Sequence, residues 1–257
     1  MNSIAIISLN KFMLIYIALI FILFIMRKFK INQEKLLFLA SARMSIQLII
    51  AGYILTYIFK HPSPIFVAIY LLIMVSFAIY RVIGKNADLN RKFKLIIGAS
   101  LFFSGFLTIL FFIYIIIGKS IFNPQYAIPI SGMLFGNSMN GTAIAIKTFN
   151  NLISAKKLQI KTLVNIGIDP EKILLPFVRE SLETALIPTL NSMVGMGIVS
   201  LPGMMTGQIL SGTLPTTAIL YQICITIAIT LTVCLSSFFS LYFGQKTLLD
   251  SNKQIKI

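Results

Sequence analysis

The chain has 257 residues, of which 57% are hydrophobic and 11% are charged, and its mean hydropathy is +0.91. This composition excludes a soluble globular enzyme and is typical of an integral membrane protein. The net charge of +15 does not indicate nucleic-acid binding, because the basic residues stand in short runs between apolar stretches. The length predicts a single transmembrane domain over residues 1–257, embedded in the lipid bilayer.

Apolar stretches of about 20 residues predict an all-α, polytopic fold with about seven transmembrane helices. The predicted spans are Ile4–Met26, Leu36–Phe59, Ile65–Ile83, Leu95–Ile117, Ala127–Ile146, Ala185–Leu210 and Ala218–Phe243. The first stretch lacks a preceding basic region and a following small-residue cleavage site. We therefore expect it to remain as the first helix and not to be removed as a signal peptide.

The distribution of basic residues predicts the orientation in the membrane. Eighteen of the 22 Lys and Arg residues lie in residues 27–35, 81–94 and 147–183 and in the C-terminal tail, which contains Lys246, Lys253 and Lys256. Cytoplasmic loops carry an excess of these residues. We expect a multi-pass protein of the cell (inner or plasma) membrane, with the N-terminus outside and the C-terminus in the cytoplasm. The count of seven spans treats the sixth segment as one full span, although its helix is predicted to be broken.

Arg43 is the one charged residue placed well inside a predicted span, and Gln47 lies one turn further along the same helix face. A charge at that depth usually faces the bundle interior, a water-filled cavity or a partner. Alternatively, its long side chain reaches the cytoplasmic interface. We predict a structural or coupling role for Arg43 and Gln47, and for Gln222 in the last span.

The fifth span contains a polar motif that recurs in the sixth. Asn137–Gly141 and Asn191–Gly195 both read N-S-M-x-G, which places the Asn and the Gly of each copy on one helix face. One interpretation is structural, with small residues at a close helix contact and amides bonding across it. The other is that the two motifs face each other across a transport path.

The sixth segment is too irregular for a plain anchor. Pro188–Gln208 contains two prolines, four glycines and four methionines, so the helix should be broken or kinked. Irregular backbone at membrane depth is tolerated where it is buried in protein or lines a cavity. The predicted path residues are Asn137, Ser138, Met139, Asn140, Asn191, Ser192, Met193, Met204, Met205, Thr206 and Gln208. Carboxylates, His and Cys are missing from these segments, so we predict weak ligands and no permanent metal site.

The segment 147–183 is predicted to be a cytoplasmic loop made of a helix, a turn at Gly167 and an amphipathic helix. Asp169, Pro170 and Glu171 have the pattern of an N-cap, a first helical position and an acidic first turn. Pro176 should kink the second helix, which carries Arg179 on its polar face. This helix either packs on its own bundle or docks a soluble partner.

Catalytic motifs are weak in this chain. Gly118-Lys119-Ser120 resembles the end of a phosphate-binding loop, but Ile113 occupies the position of the required glycine. His61 is the single histidine and lies in a predicted outer turn, so no nucleophile–His–acid set can form. We predict that the chain is not an enzyme, has no catalytic residues and binds no cofactor of its own.

A resemblance to a known family adds to this interpretation. The residues that carry it are Arg43-Met44-x-x-Gln47-Leu48, Pro129–Gly141, Ile187–Met193, Ser200–Leu210, Gly212, Pro215 and Tyr221-Gln222. They resemble the FetB-like family, the permease subunits of Fet-type iron-export ABC transporters, with S-L-P-G-M-M-T-G-Q as the most specific stretch. The resemblance covers about residues 35–245.

This resemblance implies export of iron or another metal cation by a homodimer of permeases joined to two separate ABC ATPase subunits, which hydrolyse the ATP. Separately, the loop resembles the cytoplasmic loop of ABC importer permeases, in which a glycine turn and a later I-x-L-P mark the ATPase contact; here Gly167 precedes Ile173–Pro176. We therefore predict the ATPase contact at Gly167, Asp169, Pro170, Glu171, Pro176 and Arg179. The alternative is an ion-gradient-driven carrier or channel without an ATPase. A membrane enzyme acting on lipids is a third possibility, which the missing catalytic set disfavours.

Overall fold

The computed structural model describes residues 8–86 and 89–248, and this part of the chain is helical with no strand beyond one isolated bridge. The helices are α1 (Leu9–Lys28), α2 (Glu34–Lys60), α3 (Pro64–Lys85), α4 (Arg91–Leu110), α5 (Pro124–Ala155), α6 (Lys157–Asn165), α7 (Pro170–Gly195), α8 (Gly203–Leu210) and α9 (Pro215–Lys246). A π-helical turn, Phe111–Ile116, continues α4. The all-α prediction is confirmed for the described residues.

The chain divides into two compact units. The first unit comprises Met1–His61 with Leu210–Gly212, and the second comprises Pro62–Ile209 with Thr213–Ile257. Within the first unit, α1 and α2 pack together, and the hydroxyl groups of Tyr16 and Ser45 lie 2.7 Å apart in a hydrogen bond. The second unit contains the larger core.

The predicted spans coincide with helices to within a few residues at most boundaries. In the described part of the chain, four helices are long and apolar enough to cross a membrane: Glu34–Lys60, Pro64–Lys85, Arg91–Ile116 and Pro215–Lys246. The seven-span count and the crossing of the sixth segment remain predictions. The start of the first span, before residue 8, and the tail residues Lys253 and Lys256 lie outside the described residues.

Two boundaries differ from the sequence prediction. Helix α5 continues to Ala155, so the segment predicted to be a loop from Lys147 begins as helix. Helix α7 runs from Pro170 to Gly195 without ending, although it contains Pro176 and Pro188. The amphipathic loop helix and the first part of the sixth predicted span are therefore a single helix. Its buried face, which packs against α5 and α9, outweighs the loss of two backbone hydrogen bonds at proline.

Small residues set the helix spacing in the second unit. Helix α9 packs against α4, α5 and α7, helix α4 packs against α5, and three glycines lie at these contacts. A Cβ on Gly141 would lie 2.5 Å from a methyl group of Val233, and one on Gly244 would lie 2.5 Å from the ring of Phe93. A Cβ on Gly105 would overlap the ring of Phe135. Close approach of backbones through glycine is the packing that neighbouring membrane helices commonly use.

The contacts bring several basic helix ends to one end of the second unit. The side-chain amide of Asn90, at the start of α4, donates to the carbonyl of Thr247 just after α9, at 2.9 Å. Lys246 of α9 lies 3.5 Å from the carboxylate of Glu171 at the start of α7. Lys156, just after α5, lies over the ring of Phe177. We call this the basic end.

Candidate functional site

The helix predicted to be broken in the sixth segment is interrupted between Gly195 and Gly203. Gly197 has a φ of +83°, a conformation that glycine adopts without strain, and its amide donates to the carbonyl of Ser200 at 2.9 Å. This closes a tight turn in which Met196 and Ser200 form a bridge. Pro202 then precedes α8. The glycines and prolines of the segment therefore end one helix and start another; we call residues 196–202 the elbow.

A cavity of about 420 Å³ lies in the second unit next to the elbow. Its walls come from α5, α7, the elbow, α8 and α9. The lining residues are Met133, Asn137, Asn140, Gly141, Ile144, Ala185, Pro188, Thr189, Ser192, Met196, Pro202, Gly203, Met204, Gln222, Thr226 and Ile229. None of these described residues is charged, and they mix amides, hydroxyls and thioethers with apolar groups. We call this the central cavity.

The central cavity contains members of both N-S-M-x-G copies. Asn137, Asn140 and Gly141 contribute to it from α5, and Ser192 contributes from α7. Met204 and Gln222 also line it. The structural interpretation of the motif agrees with the close helix contact at Gly141. The interpretation as a transport path agrees with the position of the polar members, which border one cavity. Their role toward a substrate remains a prediction.

Other predicted path residues lie outside the lining of the central cavity. Ser138 is buried and donates to the carbonyl of Phe135 on its own helix. Thr206 donates to the carbonyl of Pro202 at 3.1 Å. Met139 packs against the apolar core of the second unit. The remaining residues absent from this lining are Asn191, Met193, Met205 and Gln208.

The Asn137 amide does not bond across the helix contact. Its nitrogen donates to the carbonyl of Met133, one turn earlier on α5, at 2.8 Å. The amide oxygen and the second N–H of Asn137 are the groups that this side chain still has to offer to the cavity. Thr142, on the same helix, makes the cross-helix bond instead, since its hydroxyl donates to that of Ser236 on α9 at 3.1 Å.

A second cavity of about 480 Å³ also borders the elbow. Met193 and Met205, two predicted path residues, line it. Met196, Pro202, Gln222 and Thr226 line both cavities. Of these four, only Gln222 was singled out from the sequence. The signal for Thr226 was its spacing of four residues from Gln222 on one helix, which places both side chains on one face.

The site has no ligand set for a tightly held metal ion. Among the described residues, no group of three or more His, Cys, Asp and Glu side chains comes together. Cys224 and Cys234 are free thiols on α9. The central cavity therefore offers neutral oxygen and sulfur atoms, which suit a solute that binds weakly and leaves again.

The predicted docking residues lie at or near the basic end. Gly167 has a φ of +87° and forms the turn between α6 and α7, and the Asp169 side chain caps α7 by accepting from the amide of Glu171 at 3.2 Å. Pro170 is the first residue of α7. The predicted helix start is confirmed. Glu171, Pro176 and Arg179 are exposed, while Pro170 is buried.

The apolar face of α7 packs on its own bundle. Leu174 and Val178 are buried in the core that α7 shares with α5 and α9. The sequence left two alternatives for this helix, packing on its own bundle or docking a partner. For its apolar face, packing on its own bundle is the one observed. Other apolar residues nearby are exposed: Leu158 at the start of α6, and Ile166 and Ile168 at the α6–α7 turn.

Arg43 and Gln47 lie in the first unit on α2, and both are exposed. Ser45, between them, holds the hydrogen bond to Tyr16 of α1. These contacts do not test the predicted coupling role of Arg43 and Gln47, which remains a proposal.

Comparison with known proteins places the chain among membrane proteins. The sequence profile of the uncharacterised protein family UPF0014 matches residues 9–249. The chain is 32% identical over 251 residues to the probable iron export permease protein FetB of Escherichia coli, covering 95% of this chain and 92% of that one. It is 32% identical to the UPF0014 membrane protein YjkA of Bacillus subtilis over 79% and 80% of the two chains.

A plant protein is also similar. The chain is 33% identical to the protein ALUMINUM SENSITIVE 3 of Arabidopsis thaliana over 71% of this chain and 66% of that one. No solved structure matches the chain. The resemblance to FetB-like proteins that the sequence motifs predicted is confirmed.

Proposed function

The chain belongs to the UPF0014 family of multi-pass membrane proteins, and from this premise we propose that it is the permease subunit of an ABC transporter that exports iron or another metal cation. The name of the Escherichia coli relative supports the cargo and the direction. A separate ATPase subunit hydrolyses the ATP. The permease acts as a homodimer joined to two ATPases, with the basic end facing the cytoplasm.

One observation carries this proposal: a single helix connects the docking surface to the central cavity. Helix α7 has 26 residues, so it extends over roughly 39 Å. Its N-cap is Asp169, its first turn carries Glu171, and its last turns carry Thr189 and Ser192 in the cavity wall. A force applied at the basic end is therefore transmitted directly to the cavity.

The docking surface combines apolar contact with charge. Ile166, just after α6, is 68% exposed, and Leu158, at the start of α6, is 80% exposed. Arg179 is exposed two turns into α7, and Glu171 borders Lys246. Interfaces commonly surround such apolar anchors with a polar rim. In the proposed mechanism, nucleotide-driven movement of the ATPases displaces this surface, and α7 with the elbow opens the cavity alternately to the two sides.

Co-purification with the ATPase tests the docking step. We expect Arg179→Glu combined with Ile166→Ser to reduce ATPase recovery and permease-stimulated hydrolysis by about tenfold, since a buried apolar anchor contributes more than 1 kcal/mol to an interface. The matched control is Lys119→Glu, the same type of charge reversal at an exposed position at the far end of α4. If the ATPase still co-purifies and is still stimulated by the double variant, the docking surface is wrong.

Reconstitution separates the proposal from its alternative. Liposomes that contain permease and ATPase should move iron only with ATP. Movement by the permease alone, driven by an ion gradient, would support the carrier or channel instead. No carboxylate lines the central cavity among the described residues, which disfavours proton coupling at that site.

A further inference from the structure

The predicted spans offer no negative charge to a metal cation. All seven acidic residues of the chain lie outside these spans: Glu34, Asp88, Asp169, Glu171, Glu180, Glu183 and Asp250. Arg43, the one charged residue well inside a predicted span, is positive. None of the described residues that line the central cavity is charged. A cation that leaves water for this cavity therefore meets no carboxylate that could replace its hydration.

The cost of this transfer depends on the net charge of the solute. The free energy lost when an ion moves from water into a site of low dielectric constant rises with the square of its charge, so divalent and trivalent ions lose the most. Neutral amide and hydroxyl groups compensate only part of that loss. A complex in which anionic ligands surround the metal carries little or no positive charge and avoids most of the loss.

The central cavity is large enough for such a complex. Its volume is about 420 Å³. A water molecule takes up about 30 Å³ in the liquid, so the six waters of a hydrated ion take up roughly 180 Å³. Cavities that bind small organic molecules begin at about 300 Å³. The volume therefore matches a metal ion with an organic ligand better than it matches a hydrated ion alone.

Three polar side chains in the cavity wall have protons to donate to a solute. Asn140 of α5 and Thr189 and Ser192 of α7 line the cavity, and their side chains make no hydrogen bond to another described residue. Amide N–H and hydroxyl groups donate to oxygen, and such hydrogen bonds are stronger when the oxygen is anionic. The wall is thus suited to the carboxylate or alkoxide oxygens on the outside of a metal complex.

A positive residue continues the cavity-lining face of α5 toward the basic end. Lys147 is exposed and follows the lining residue Ile144 by three positions, which places both on one face of the helix. On α7, Glu183 precedes the lining residue Ala185 by two positions and so lies on a different face. The charge nearest to this end of the cavity wall therefore attracts an anionic solute and repels a cation.

We infer that the central cavity takes the metal as a complex with small, oxygen-rich anionic ligands of the hydroxycarboxylate class, with a net charge of zero or below. This inference rests on the proposed export of a metal and specifies the form in which the metal enters the cavity. The ligands neutralise the metal, and Asn140, Thr189 and Ser192 donate hydrogen bonds to the ligand oxygens.

Binding to the purified permease, without the ATPase, tests this inference. Equilibrium dialysis would compare three probes: Ga³⁺ as its one-to-one citrate complex, hydrated Fe²⁺ under anoxic conditions, and citrate alone. Wild-type protein should retain gallium citrate at least about tenfold more strongly than hydrated Fe²⁺. Citrate alone keeps its full negative charge and should also bind more weakly than its gallium complex.

Asn140→Asp places a negative charge in the cavity wall. It should weaken the retention of gallium citrate at least about tenfold and strengthen that of Fe²⁺, because like charges in contact repel and opposite charges attract. The matched control is Gln125→Glu, which also turns an amide into a carboxylate on α5, at an exposed position about 22 Å from Asn140 and outside the lining of the central cavity. This control should bind all three probes as the wild type does.

Retention of hydrated Fe²⁺ as strong as that of gallium citrate by the wild type would overturn the inference. So would equal binding of citrate with and without gallium, retention of none of the probes, or an unchanged preference in folded Asn140→Asp. The wild-type comparison does not depend on the folding of any variant. Failure of the proposed ATP-driven export would appear separately, as iron movement in liposomes that does not depend on ATP.

Discussion

The contact between Gly141 of α5 and Val233 of α9 provides a sharp test of the packing argument. Substitution of Gly141 by Ala places a Cβ 2.5 Å from a Val233 methyl carbon, whereas carbon atoms pack best at about 3.5–4.0 Å. The two helices must therefore separate locally by about 1 Å. Val233 is fully buried and β-branched, so its side chain cannot rotate away at low cost.

The expected magnitude follows from two opposing effects. Ala is more favourable than Gly within a helix by about 1 kcal/mol, and overpacking of a core costs about 1–3 kcal/mol. We predict that Gly141→Ala lowers the free energy of unfolding by up to about 2 kcal/mol. Gly136→Ala is the control on the same helix, because its Cβ would meet no atom within 4 Å. That variant should be neutral or slightly stabilised.

A double-mutant cycle with Val233→Ala identifies the cause. Denaturation of the detergent-solubilised protein by sodium dodecyl sulfate gives the unfolding free energy of each variant. Because Val233→Ala removes the clashing methyl group, Gly141→Ala should cost much less in that background. Strictly additive effects, or a Gly141→Ala variant as stable as wild type, would refute the reasoning.

Two further predictions concern the basic end. Asn90→Ala removes the side-chain oxygen that accepts from the amide of Phe93 at 2.7 Å, and should lower the free energy of unfolding by about 1 kcal/mol. Asn90→Asp keeps this helix cap, so its free energy of unfolding should fall by less in the same denaturation assay. The side chains of Lys246 and Glu171 are 43% and 47% exposed, so Glu171→Gln should change the free energy of unfolding by less than about 1 kcal/mol. A larger loss would show that this ion pair stabilises the contact between α7 and α9.

Much of the fold could be predicted from local sequence. Long apolar runs located the helices, and the Asp169-Pro170-Glu171 pattern gave the start of α7 to the residue. The prolines and glycines of Pro188–Gln208 predicted an interruption somewhere in the sixth segment, and the elbow lies within it. These features depend on neighbours in the sequence, where turn chemistry and capping dominate.

The continuity of α7 could not be predicted in this way. Pro176 and Pro188 indicate a kink or an end, yet Leu174, Val178 and Ala185 bury enough apolar surface to keep one helix. Tertiary packing of this kind is invisible to a local pattern.

The composition of the cavity was predictable only in part. Asn137, Asn140 and Gly141 share a face by their spacing, but the sequence does not reveal which face meets the cavity. Ser138, directly beside Asn137, therefore appeared equally suited to the path and is buried in the core instead. Met196 and Thr226 were missed because the sequence does not show that the elbow and α9 line the same two cavities.

The two internal prolines of α7 also make this helix easier to bend. Pro188 has no amide proton, so the carbonyl of Thr184, four residues earlier, lacks its usual partner in the helix. That missing bond lies beside the central cavity, since both Ala185 and Pro188 line it. The resistance of the helix to bending is consequently reduced there, as it is at Pro176. A force on the N-terminal end of α7 is therefore expected to bend the helix where it forms the wall of the central cavity.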